Sequence, residues 1–187
     1  DGTVMPKWPQ FLPGINVPQF ATGSNLSLAD LDGDLDLEII APASSFPFGS
    51  PLSAQMHVLH HDGSPLQGWP QSFGPSRSSI HQHVVGDLNG DGSPEIVATL
   101  SFKSTEDIYA WDASGRPLPQ WPVKEKTEIY SNRIFRENTL SIADVNGDGE
   151  AEVVLTSRRP VSFQTPPDRI HAFQSDGTEA EGYPKTI

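Results

Sequence analysis

The sequence predicts an all-β fold of β-propeller blades: three four-stranded antiparallel units plus an orphan N-terminal strand. Three observations predict it. An acidic, glycine-bearing nonapeptide recurs every 57 residues, beginning at Asp30, Asp87 and Asp144. A second motif recurs four times, as Asp1-Gly2 … Trp8-Pro9, Asp62-Gly63 … Trp69-Pro70, Ser114-Gly115 … Trp121-Pro122 and Asp176-Gly177 … Tyr183-Pro184, with 8 residues from first position to proline each time. Short alternating apolar runs lie between these motifs, and no stretch of the 187 residues has sustained helical periodicity. A fixed period of this size means stacked units, and four short strands per unit is the pattern of a blade.

The chain opens on an outer-strand copy at 1–10. Strand A of the first unit is Leu26-Ser27-Leu28-Ala29; it runs into the acidic loop Asp30-Leu31-Asp32-Gly33-Asp34-Leu35-Asp36-Leu37-Glu38, and strand B leaves through Ile39-Ile40. Strand C is Met56-His57-Val58-Leu59, and an Asp-Gly turn leads into strand D, which ends at Trp69-Pro70. The second unit repeats the order with His83-Val84-Val85-Gly86, Asp87 to Glu95, Ile96-Val97 and Ile108-Tyr109-Ala110-Trp111. The third has Leu140-Ser141-Ile142-Ala143, Asp144 to Glu152, Val153-Val154-Leu155 and Ile170-His171-Ala172-Phe173. The repeats thus span about 24–71, 82–123 and 138–185 of one segment, 1–187. β-Branched and aromatic residues suit strands, Asp-Gly is a hairpin-turn signal, and proline is tolerated on an edge strand that need not donate every N–H.

The two turns at one end of each unit never change length, whereas the B–C and D–A connections do. In an up-and-down blade those variable loops share the opposite face, and variable loops on a rigid scaffold are the usual binding surface. That face would carry nine of the twelve basic residues, Arg77, Lys103, Lys124, Lys126, Arg133, Arg136, Arg158, Arg159 and Arg169. It would also carry aromatic side chains, among them Phe46, Phe48, Phe73, Tyr130 and Phe163.

The net charge is −12 at pH 7, and half of the 24 acidic residues lie in the three loops. Such acidity disfavours nucleic acid as a partner, because a phosphate backbone selects a basic footprint. No apolar run approaches the ~18 residues of a membrane span, so no membrane insertion is expected. Cysteine is absent, so disulfides are silent on compartment.

The loops themselves point to a hard cation. Oxygen-bearing side chains stand at loop positions one, three, five and nine, glycines at the bends, and an apolar strand follows. With no His or Cys in the nonapeptides, Ca²⁺ is expected over Zn²⁺, and Mg²⁺ prefers to keep its waters. An EF-hand would need its last acid at position twelve and flanking helices; a dockerin-type repeat would continue into a helix. Plain Asx-rich turns without an ion are the simpler alternative, opposed by the mutual repulsion of so many carboxylates.

The loop pattern, the strand it enters, the aliphatic-Ala-aromatic strand and the Asp-Gly … Trp-Pro motif together resemble the FG-GAP (integrin α-type, VCBS-like) repeat, over essentially the whole chain. The resemblance implies a calcium-binding propeller, mostly extracellular, with one Ca²⁺ per loop and three in all. It assigns the side chains of Asp30, Asp32, Asp34 and Glu38 with the carbonyl of Asp36; of Asp87, Asn89, Asp91 and Glu95 with the carbonyl of Ser93; and of Asp144, Asn146, Asp148 and Glu152 with the carbonyl of Glu150. The first loop departs from the pattern. Leu35 replaces glycine at position six, where a left-handed backbone is expected and costly, while Asp32 in place of Asn adds a carboxylate.

Outside the loops, His81 and His83 are two residues apart on a strand, at the variable face, where they could bind a metal or a sugar; two ordinary histidines are the simpler reading. Arg133, Arg136, Arg158 and Arg159 could clamp a carboxylate or sulfate, or be solvated loop charge. His60-His61 reads as turn decoration, and Trp69, Trp121 and Tyr183 as packing anchors between units. Asn25-Leu26-Ser27 matches a glycosylation acceptor on a strand expected to be buried. No nucleophile-base pair or phosphate loop is visible. The functional expectation is therefore an extracellular module for adhesion or for binding a protein or acidic-glycan ligand. The rivals are a polysaccharide lyase or its accessory module, and an assembly protein with no small ligand. Three blades fall short of a closed ring, so the remaining blades come from a longer chain or from a homo-oligomer.

Overall fold

The computed structural model describes residues 3–4, 6–10, 12, 25–44, 54–73, 78–102, 105–125, 139–157 and 169–187. Among them there is no helix, and three four-stranded antiparallel sheets account for the strands. The first sheet holds β1 (Ser27–Ala29), β2 (Glu38–Ser44), β3 (Ala54–Leu59) and β4 (Gln71–Phe73), in that order. The second holds β5 (Ser78–Gly86), β6 (Glu95–Phe102), β7 (Thr105–Trp111) and β8 (Val123–Glu125), and the third β9 (Leu140–Ala143), β10 (Glu152–Ser157), β11 (Arg169–Phe173) and β12 (Lys185–Thr186).

The registers repeat. Ala29 faces Glu38, Gly86 faces Glu95 and Ala143 faces Glu152, so each acidic loop closes the first hairpin of its sheet at the same place. At the same end, the Asp-Gly turn closes on a bridge: Leu59 with Pro65, Trp111 with Pro117, Phe173 with Glu179. The outer strand differs from expectation. It does not end at aromatic-Pro but begins just after it, at Gln71, Val123 and Lys185. Proline has no N–H to give the ladder, so the chain turns first. The turn takes a left-handed residue, Gly68, Gln120 or Gly182, and all the aromatic-Pro peptides are cis.

The second sheet's first strand is also longer than the sequence suggests. Ser78 and Ser79 pair with Phe102 and Ser101, and a bulge at His81 restores the register beyond it. A Ser-rich stretch reads as loop, and only pairing with β6 makes it strand.

The sheets pack face upon face. Ile40, Met56 and Val58 of the first meet Ile80, Ile96, Ala98 and Leu100 of the second. Val97, Ile108 and Ala110 of the second meet Leu140, Val153 and Leu155 of the third. Trp69 Nε1–H donates to the Ala113 carbonyl of the next sheet at 2.9 Å, and Trp121 Nε1–H to Ser175 at 2.9 Å. Both indoles are buried, as packing anchors should be. Trp8 makes the same contact with the His61 carbonyl at 3.2 Å, and Lys7 adds an ion pair with Asp62 at 2.6 Å. The N-terminal segment thus sits on the first sheet as the end of the first sheet sits on the second. Phe73, expected on the loop face, instead joins an aromatic cluster with Tyr109 and Trp111.

Candidate metal centres

Each acidic loop is organised by its first and last carboxylates. The first accepts two backbone N–H groups. Asp87 takes Gly90 at 2.8 Å and Gly92 at 2.9 Å; Asp144 takes Gly147 at 2.6 Å and Gly149 at 3.0 Å; Asp30 takes Gly33 at 2.7 Å and Leu35 at 3.0 Å. These bonds favour the charged form, and the Gly147 N–H foremost holds the Asp144 carboxyl below the usual range. Positions three and five each accept the N–H two residues on, as Asp34 does from Asp36 and Asp91 from Ser93, both at 2.8 Å.

The ninth residue is a buried glutamate, Glu38, Glu95 or Glu152, each at most 1% exposed. It starts the second strand and points back under the loop. One oxygen accepts the position-two N–H, from Leu31 at 2.8 Å, Leu88 at 2.8 Å and Val145 at 3.0 Å. Burial pushes the Glu95 carboxyl up, against the pull of the Leu88 and Asn89 N–H groups. A carboxylate desolvated beneath a ring of further oxygens is a donor set suited to a cation.

In the second and third loops the other glutamate oxygen accepts from an amide: Asn89 Nδ2 at 3.1 Å and Asn146 Nδ2 at 2.9 Å. The first loop has Asp32 there, which cannot donate. His60 stands in, with Nδ1 3.3 Å from Glu38 Oε1 and 3.9 Å from Asp32 Oδ2. The neighbouring His61 Nδ1 lies 3.5 Å from Asp36. His60 is therefore part of the loop's polar network, a contact that sequence reading missed. The signal was the pairing of the Asp-Gly turn with the acidic loop at one end of the sheet, together with the Asn-to-Asp change.

Among the described residues, two groups of side chains could hold a metal ion: Asp30, Asp32 and Asp34, and Asp32, Glu38 and His60. Both draw on the first loop, the second with His60 from the Asp-Gly turn. The expected left-handed backbone at position six is present, with φ of 73° at Leu35, 88° at Gly92 and 93° at Gly149.

His83 is mid-strand and buried rather than at the variable face, and its Nε2 has no hydrogen-bond partner. Burial lowers its pKa. His81 sits at the bulge, so simple alternation does not relate it to His83. Arg133, Arg136, Arg158 and Arg159 lie outside the described residues, as do most of the variable loops. Leu26 and Leu28 are exposed, so the strand following Asn25 is not buried as expected. No helix among the described residues is long and apolar enough to cross a membrane. No protein-family model, curated protein or solved structure matches the chain.

Proposed function

We propose that the chain is a calcium-stabilised β-propeller segment of FG-GAP type, an extracellular module that binds an acidic glycan through the loops opposite its acidic turns. One observation carries the reading: three loops of fixed length repeat the same hydrogen-bonding scheme over a buried glutamate at the same register. Position-one carboxylates that gather backbone N–H groups keep lone pairs for an ion, and the loop oxygens are hard donors suited to Ca²⁺. The ion would offset the repulsion of the clustered acids and tie the first hairpin of each sheet. Face-to-face stacking, with indoles bridging successive sheets, is what blades of a propeller do. The basic loop residues supply the chemistry for a carboxylated or sulfated sugar.

A glycan array run in Ca²⁺ and again in chelator tests the proposal. Binding to uronic-acid or sulfated glycans is expected in Ca²⁺ only, and reduced at least tenfold when Arg158 and Arg159 are both changed to Ala. No binding, or binding indifferent to both Ca²⁺ and the arginines, would remove the glycan reading.

A further inference from the structure

The first acidic loop differs from the other two in two coordinated ways. Asp32 replaces Asn, His60 approaches from the Asp-Gly turn, and the corresponding turn positions in the other sheets are Asp112 and Gln174. The imidazole is half-buried, with its Nδ1 held against the enclosed Glu38 and the partly exposed Asp32. The three ligand atoms lie within 4.8 Å of one another. Two of the separations, 3.3 Å and 3.9 Å, are close to the roughly 3.3 Å between ligands around a tetrahedral ion with bonds near 2.0 Å.

We infer that the first loop is a mixed nitrogen–oxygen site for a borderline divalent transition metal, Zn²⁺ foremost, ligated by His60 Nδ1, Asp32 and Glu38. The inference deepens the reading of these loops as cation sites and rests on it. An imidazole donor suits Zn²⁺ over Ca²⁺, whereas the oxygen-only second and third loops keep the opposite preference. The neutral imidazole binds through Nδ1, so its proton resides on Nε2. Three protein ligands leave a fourth position for water. Glu38 remains fixed by the Leu31 N–H on its other oxygen, so the carboxylate is already oriented when the metal arrives.

The test is calorimetric titration of the metal-stripped full chain with Zn²⁺, in buffer holding about 1 mM Ca²⁺, the upper range for extracellular calcium modules. One Zn²⁺ site is expected to survive the Ca²⁺ and to weaken at least tenfold in His60→Gln. Asp32→Asn, which gives the first loop the residue of the other two, weakens it likewise. His61→Ala leaves it intact. Co²⁺ titrated in its place is expected to give visible d–d absorption that His60→Gln abolishes. Absence of Zn²⁺ binding under Ca²⁺, or a Zn²⁺ site unchanged in both His60→Gln and Asp32→Asn, would overturn the assignment. Should Ca²⁺ stabilise the protein while Zn²⁺ fails to bind, only this inference falls. Should Zn²⁺ bind through His60 while Ca²⁺ has no effect, the calcium reading falls instead.

Discussion

At the scale of single residues, the loops show where a repeat has been bent from its own pattern. Leu35 takes the left-handed conformation that glycine takes at Gly92 and Gly149, and its side chain is 88% exposed, so it recovers nothing by packing. A left-handed L-residue costs about 1–2 kcal/mol, and glycine gives part of that back through its freer unfolded state. Leu35→Gly is therefore expected to stabilise the protein by up to about 1 kcal/mol in chemical denaturation; a loss of stability would contradict the strain. His83 is a second such residue. Burial lowers its pKa, as it lowers that of His57, so the folded chain holds fewer protons there than the unfolded chain. Stability is full above the unfolded value near 6.5 and falls as pH drops from it toward the lowered folded values. His83→Leu removes the titration and the unpartnered Nε2 together. Its unfolding midpoint should change less than that of the parent between pH 7 and pH 5, and an unchanged slope would count against the argument.

At the scale of elements, each sheet is held to the next by a tryptophan and a close backbone approach. Trp121→Phe keeps the ring and loses the bond to Ser175, at a cost of about 1 kcal/mol. Gly68→Ala is expected to cost more, about 1–3 kcal/mol, because its φ is 94° and an added Cβ would run into the Ser114 carbonyl of the second sheet. Urea unfolding of the two variants checks the order; equal, negligible effects would mean that this contact does not hold the sheets. The four-strand repeat, its acidic hairpin and its aromatic anchors were legible in the sequence because they recur in phase. Local pattern could not show that the outer strand starts after the proline, since that depends on where β3, β7 and β11 run out of partners. Nor could it show His60 against Glu38, because the contact joins residues brought together only by the β2–β3 ladder. Spacing also misplaced His83, whose strand extends back to Ser78 by pairing alone.

At the scale of the whole molecule, equivalent positions change character with their place in the stack. Val85 packs against the first sheet and Ile142 against the second, but the equivalent Leu28 is 60% exposed. Conversely, Leu31 and Leu88 are buried against the following sheet, while Val145 is 38% exposed. At each outer face of the described stack, an apolar side chain is thus left exposed where its equivalents are covered by a neighbouring sheet. Within the stack, the acidic loops are the sites where like charge gathers and where the proposed ion would act. The central claim is that calcium holds these loops and, through them, the sheets. The second- and third-loop sites filled to ten times their Kd would add about 3 kcal/mol, on the order of 8 °C in Tm for a chain of this size. The direct measurement is the thermal unfolding midpoint with saturating Ca²⁺ against the same protein in chelator. A rise of about that size, lost stepwise as Asp87→Ala and Asp144→Ala are introduced, is the predicted result. A midpoint that Ca²⁺ does not move would contradict the account.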